Sequence, residues 1–170
     1  MKKVAVCFVA AFVAVLLGQG CAMMKSGKEV SVEVGKSKAL VFQLPEKWTS
    51  KVWRNKTILI PPSKYPHIQL WNLPGVSNVA QAKANIAKLV TSEVIKYKVT
   101  KTSKIVVAGA PAYHLIGKGL EADDQDPSNA EVFLFSVNKK VFLLCVHGEG
   151  NEAAKNRAAV LGILSTVRKP

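Results

Sequence analysis

The sequence predicts an α+β fold: an antiparallel β-sheet sandwich flanked by two helices. Three observations predict it. After residue 30 the chain is divided into short alternating or continuously apolar runs, many of them ended by Pro or Gly. Two longer stretches, Asn78–Tyr97 and Glu152–Val167, repeat their apolar residues at helical spacing. Val141–Val146 is apolar at every position, so its strand needs cover on both faces of the sheet. A length of 170 residues allows one domain and is too short for two ordinary ones.

The chain opens with a different kind of segment. Met1-Lys2-Lys3 is positive, and Val4–Leu17 is a run of 14 apolar residues. A membrane span needs ~20 such residues, so residues 1–20 read as a secretory signal. Leu16-Leu17-Gly18-Gln19-Gly20-Cys21-Ala22 then resembles a bacterial lipobox, in which the cysteine takes lipid and the chain is cut just before it. Gly18 stands where that motif prefers Leu, and Gln19 is larger than its usual Ala or Ser. Two other readings stay open: ordinary cleavage after Ala22, giving a soluble product that starts at Met23, and an uncleaved anchor. Residues 21–29 form the lipidated cysteine and a tether. Its polar part, Lys25–Glu29, reaches at most ~18 Å, close to the membrane.

The domain, residues 30–170, begins with the alternating strand Val30–Val34 and turns at Gly35-Lys36. Ala39–Leu44, Thr57–Ile60 and His67–Leu73 follow as strands, stopped by Pro45, Pro61-Pro62 and Pro74-Gly75. Asn78 is an N-cap for the first helix, whose stripe is Val79, Ile86, Leu89, Val90, Val94 and Tyr97. Glu93 falls inside that stripe. Val99–Ala108, Ala112–Leu120, Ala130–Val137 and Lys140–His147 are four more strands, the last two a hairpin around Asn138-Lys139. In the closing helix, capped by Asn151, Arg157 intrudes on the stripe of Val160, Leu161, Leu164 and Val167, either snorkelling to water or pairing with a carboxylate.

With this order of elements, and with the motifs Phe42-Gln43-Leu44-Pro45-Glu46-Lys47-Trp48, Gly109-Ala110-Pro111-Ala112-Tyr113 and Ile163–Arg168, the chain resembles the PsbP-type domain. That fold belongs to an extrinsic photosystem II subunit, and a small eukaryotic regulator of the GTPase Ran and bacterial lipoproteins of the DcrB kind share it. Phe42-Gln43-Leu44-Pro45-Glu46-Lys47-Trp48 is similar to its early Phe-x-x-Pro-x-x-Trp strand end. Gly109-Ala110-Pro111-Ala112-Tyr113 and the helix end Ile163–Arg168 complete the resemblance, which covers Val30 to Arg168. It implies a binding or assembly factor rather than an enzyme, and fold analogy alone carries no chemistry.

Charge points the same way. The chain has 24 Lys and Arg against 11 Asp and Glu, +13; losing Lys2 and Lys3 with the signal leaves +11. Such a surface favours anionic partners, although charge alone does not choose among them. One stretch mixes cations with aromatics: Lys51, Trp53, Arg54 and Lys56 are the candidate contacts with an anionic surface, and Trp48 reads as core. An exported chain has no use for nucleic acid.

Chemistry is thin. Cys145 reads as a buried small hydrophobe. Ser50, Ser63 and Ser77 lie in no nucleophile elbow, and no Gly-rich phosphate loop follows a strand. His67, His114 and His147 lie on separate strands, His147 at a rim, and none has metal-ligand spacing. Asp123-Asp124-Gln125-Asp126 lacks the glycine and late glutamate of an EF-hand. The reading is therefore a lipid-anchored, non-catalytic accessory factor of the bacterial cell envelope, needing no cofactor and no metal. Ala22 after the cysteine favours the outer membrane over the inner. Its partners are the membrane and an envelope protein or anionic ligand. The alternative is a soluble periplasmic or secreted hydrolase or metal-dependent enzyme. It requires two of the histidines, or one with Asp123–Asp126, to meet in a pocket.

Overall fold

The computed structural model describes residues 27–170; the signal segment, Cys21 and most of the tether lie outside the described residues. The elements are β1 (Glu29–Val34), β2 (Ser37–Gln43), β3 (Thr49–Trp53), β4 (Lys56–Ile60), β5 (His67–Asn72), α1 (Val79–Ala84), α2 (Ile86–Leu89), β6 (Val94–Val107), β7 (Ala110–Glu121), β8 (Pro127–Val137), β9 (Lys140–Gly148) and α3 (Glu152–Ser165). Seven strands form one sheet in the order β3-β4-β5-β9-β8-β7-β6, and β1 and β2 form a separate ribbon. Every neighbouring pair is antiparallel. No described helix is long and apolar enough to cross a membrane.

Short turns make this meander. Asn138 and Lys139 both take positive φ, 51° and 61°, the two-residue turn whose twist suits a hairpin. β9 is central, as its two-sided apolar pattern requires. Phe142, Leu144 and Val146 face a core shared with β1, β2 and α3. Val141, Leu143 and Cys145 face a second core under α1 and α2. Burying both faces removes apolar area from water at about 25 cal/mol per Å².

The predicted helix Asn78–Tyr97 is corrected. It breaks at Asn85 (φ −111°) into α1 and a single turn, α2, which ends at Leu89. Val94 and Tyr97 belong to β6. A bulge between Ile95 and Lys98, with Lys96 at φ 53°, turns both onto the same buried face three residues apart and so imitates helical spacing. Tyr97 lies over Gly117, where a Cβ would meet its ring at 2.5 Å. The described residues therefore hold three helices where two were expected. They also hold β3, which lies within the stretch read for its cations and tryptophans.

Candidate functional site

The hairpin of β3 and β4 ends the sheet on one side. Arg54 takes φ 55° at its turn. Val52 and Trp53 stand 74% and 51% exposed, and the Arg54 guanidinium lies 4.5 Å from the Trp53 ring centre. Lys51 is exposed beside them, while Trp48 packs against the core. Lys56 turns away from this group. Its ammonium pairs with Glu93, bonds Ser92 Oγ at 3.1 Å and lies 4.8 Å from the Trp71 ring centre. The hairpin tip thus offers Lys51, Trp53 and Arg54, and Lys56 belongs to the polar cluster below it.

That cluster lies on the α1–α2 face. β5 and β9 pair in a register that sets His67 beside His147, their rings stacked at 5.2 Å. Glu93, just after α2, accepts from Lys56, Gln69 and Ser92. The backbone N–H of Ala122 donates to the Glu93 carbonyl at 3.0 Å and fastens the acidic loop over this end of the sheet. Glu121, at the end of β7, accepts from Ser128 Oγ at 3.3 Å. His147 is buried, not at a rim, and lies between the two glutamates. Nε2 is 3.5 Å from Glu93 and Nδ1 is 3.6 Å from Glu121, yet neither nitrogen makes a hydrogen bond. Burial raises the Glu93 carboxyl, but the pull of His147 and Lys56 outweighs it and holds Glu93 below the ordinary carboxylate range.

Two adjoining cavities open here. One, of about 270 Å³, is lined by His67, Glu93, Glu121, Asp123 and His147 among others. The second, of about 630 Å³, shares His67, Glu121 and Asp123 and adds Asp124, Glu149 and Glu152. Glu121, Asp123 and Asp124 bring carboxylate oxygens within 4.8 Å of one another. Six of the chain's 11 acidic residues therefore line one cleft in a protein of net charge +13. The far edge of the sheet is the opposite: β6 carries exposed Lys96, Lys98, Lys101 and Lys104.

His114 has a different setting. It bonds Glu131 at 2.7 Å on the α3 face, and Arg157 grips the same carboxylate from Nε and NH2, at 2.8 and 2.6 Å. Burial raises the Glu131 carboxyl, while His114 and Arg157 together bring it below the ordinary range. The pairing option for Arg157 is thus the one realised. Cys145 is fully buried, and burial, with the nearby Glu93 charge, pushes its thiol well above the ordinary range.

The structure brings together His67, His147 and Asp123 from the predicted residues and leaves His114 on the other face. Glu93 and Glu121 were missed as members of the cleft, and Lys56, expected at an anionic surface, pairs with Glu93 instead. The signal for Glu93 was its place inside an apolar stripe, and Glu121 gave none.

This arrangement of one large antiparallel sheet, a two-stranded ribbon and helices on both faces is the PsbP-like α+β fold. The cyanobacterial PsbP protein CyanoP from Synechocystis sp. PCC 6803 is similar with a TM-score of 0.58 and 10% identity, over 91% of this chain and 99% of that one. LpqN, involved in cell envelope biogenesis of Mycobacterium tuberculosis, gives 0.50 and 12%, over 84% and 91%. PA94, a protein of unknown function from Pseudomonas aeruginosa, gives 0.52 and 12%, over 82% and 96%. No protein-family model and no curated protein sequence matches the chain.

Proposed function

We propose that the chain is a non-catalytic accessory module of the cell envelope, held at a membrane by lipid on Cys21, that applies the β3–β4 hairpin to an anionic surface. One observation carries this reading: Val52 and Trp53 project into water with cations on both sides, the Arg54 guanidinium seated on the indole. An exposed tryptophan costs solvation unless something covers it, and the indole–cation pair suits a headgroup interface. The fold of CyanoP and of LpqN, an envelope-biogenesis protein, supports an extracytoplasmic setting. Ala22 following the cysteine supports the outer membrane. A second reading, the histidine-dependent hydrolase, gains one observation, the meeting of His67, His147 and Asp123 in a cavity.

Two measurements test the main reading. Intact mass of the protein from the membrane fraction is expected to show cleavage before Cys21 and added acyl chains, both lost in Cys21→Ser. A mass starting at Met23 without lipid removes the anchor. Unlipidated protein is expected to sediment with vesicles containing anionic lipid and not with neutral ones. Trp53→Ala and Arg54→Glu are expected to weaken that binding by about fivefold or more, since each basic contact is worth ~1 kcal/mol at such a surface. Equal binding by the variants removes the hairpin from the contact.

A further inference from the structure

We propose that the β6 edge of the sheet is a docking ridge for a linear anionic polysaccharide, held by Lys96, Lys98, Lys101 and Lys104 of β6 and by Lys118 of β7. Residues 94–120, from the start of β6 to the penultimate residue of β7, hold these five lysines and no acidic residue. All five are exposed, and none forms an ion pair among the described residues. The next strand, β8, has one carboxylate, Glu131, which is buried and engaged by His114 and Arg157.

A second observation is independent of exposure. Lys98 lies opposite Lys118 in the strand pair. Lys118 shares the side of His114, four residues before it, so both ammonium groups leave the sheet together on the α3 face. Like charges directly opposite destabilise a strand pair. Lysines and bulges on an edge strand deter the addition of another strand, and β6 has both, with register shifts between Ile95 and Lys98 and between Val99 and Lys101. That explains lysine on β6. It does not explain Lys118, which lies one strand in, with Asn129 of β8 on its other side. An anion spanning Lys98 and Lys118 removes their repulsion.

The shape of the row selects the partner. Lys101 pairs with Ile116 and shares the α3 side with Lys98 and Lys118. Lys104 pairs with Tyr113, whose ring packs toward α1 and α2 and carries Lys83 Nζ at 4.8 Å. Charges on both sides of one edge suit a chain laid along it, whereas a plane meets only one side. The edge also lacks the aromatic and arginine anchors of a protein interface: the other exposed residues of β6 are Val99, Thr100, Thr102 and Val106. Lysine is a point charge without the planar fork of arginine, so the row reads charge density, and the Thr102 hydroxyl suits a sugar hydroxyl. From Lys96 to Lys104 the ridge runs up to ~27 Å. The β3–β4 hairpin forms the opposite edge, six strand spacings or about 29 Å away, so ridge and hairpin can be occupied together.

The test is calorimetric titration of the untagged full chain with heparin, a sulfated polysaccharide, with polyglutamate and anionic vesicles as rival probes. Heparin fragments longer than the ridge are expected to bind, fragments under half its length to bind weakly, and both to weaken as salt rises. Lys98→Gln/Lys101→Gln/Lys118→Gln is expected to weaken binding by about tenfold or more, and to leave the melting temperature level or higher because the opposed charges are gone. Lys28→Gln/Lys36→Gln/Lys38→Gln removes as much charge from the β1–β2 ribbon and its start, and is expected to leave binding within about twofold. Trp53→Ala, which answers to the hairpin reading alone, is expected to bind heparin like the parent, and the ridge variant to bind anionic vesicles like the parent. Absence of heparin binding, equal weakening by the two triple variants, polyglutamate bound as tightly as heparin, or loss of vesicle binding in the ridge variant each overturns the proposal.

Discussion

His114 and His147 are buried on opposite faces of the same sheet, almost back to back: Ala130 pairs with His147 and its neighbour Glu131 with Val146. His114 belongs to a closed group. Its partner Glu131 is 2% exposed, accepts from both His114 and Arg157, and carries a charge that Arg157 balances. His147 belongs to an open one, its ring nitrogens 3.5 and 3.6 Å from Glu93 and Glu121 with no hydrogen bond formed. A buried polar network with every group satisfied fastens a core. One left incomplete weakens it. The difference separates a closed polar group on the α3 face from an open one on the α1–α2 face.

The sharpest way to break the comparison is Glu131→Ala. It strands His114 and Arg157, and a loss of about 3 kcal/mol in urea unfolding is expected. This is the low end for a broken buried pair because Arg157 keeps partial access to water. A loss below about 1 kcal/mol would mean that the closed group holds nothing. Next comes a matched pair of replacements. His114→Leu should cost about 1–3 kcal/mol by orphaning Glu131, whereas His147→Leu should cost less because its contacts with Glu93 and Glu121 are longer, at 3.5 and 3.6 Å. Equal effects would erase the distinction.

The acid limb of stability sharpens it further. Glu131 titrates below the ordinary carboxylate range when folded. Its contribution is therefore complete above that range and fades as pH falls through the lowered folded value. Glu131→Gln is accordingly expected to flatten the decline of melting temperature on acidification. A decline as steep as in the parent would place the acid sensitivity elsewhere. The smallest effect concerns Cys145. Its raised, fully buried thiol should react with a disulfide reagent only at the rate of unfolding, and rapid reaction in native buffer would show that the face beneath α1 and α2 opens on its own.

Much of the fold was legible because several strands stop at or beside Pro or Gly, and because Val141–Val146 of β9 is apolar at every position. β3 was not legible. Thr49–Trp53 borders solvent along most of its length, so it carries no burial rhythm. The helix boundary failed where a bulged strand reproduced the period of a helix. The hairpin contacts were readable from composition, except that Lys56 is drawn inward by Glu93, a partner brought by α2. The cleft was the hardest to see. His67 and His147 meet through the register of β5 on β9, and Glu121 joins them from the end of β7. Sheet register brings together residues that no local spacing connects, whereas Glu93 and Arg157 each betrayed themselves by breaking an apolar stripe.

The seam between the two ends of the domain has a mechanical consequence. Val41 of β2 bridges Arg168, whose guanidinium pairs with Glu29 at the head of β1. Glu29 also lies opposite Gln43 at the open end of the β1–β2 ribbon. Tension between the front of this domain and its tail would therefore act across the ribbon and peel β1 one hydrogen bond after another, like a zip, rather than load all its bonds at once. Under a pull the molecule would lengthen first by the few residues of β1, while the seven-stranded sheet and the cleft beneath it stay intact. In a single-molecule stretch this would register as a short, low-force step ahead of the main rupture.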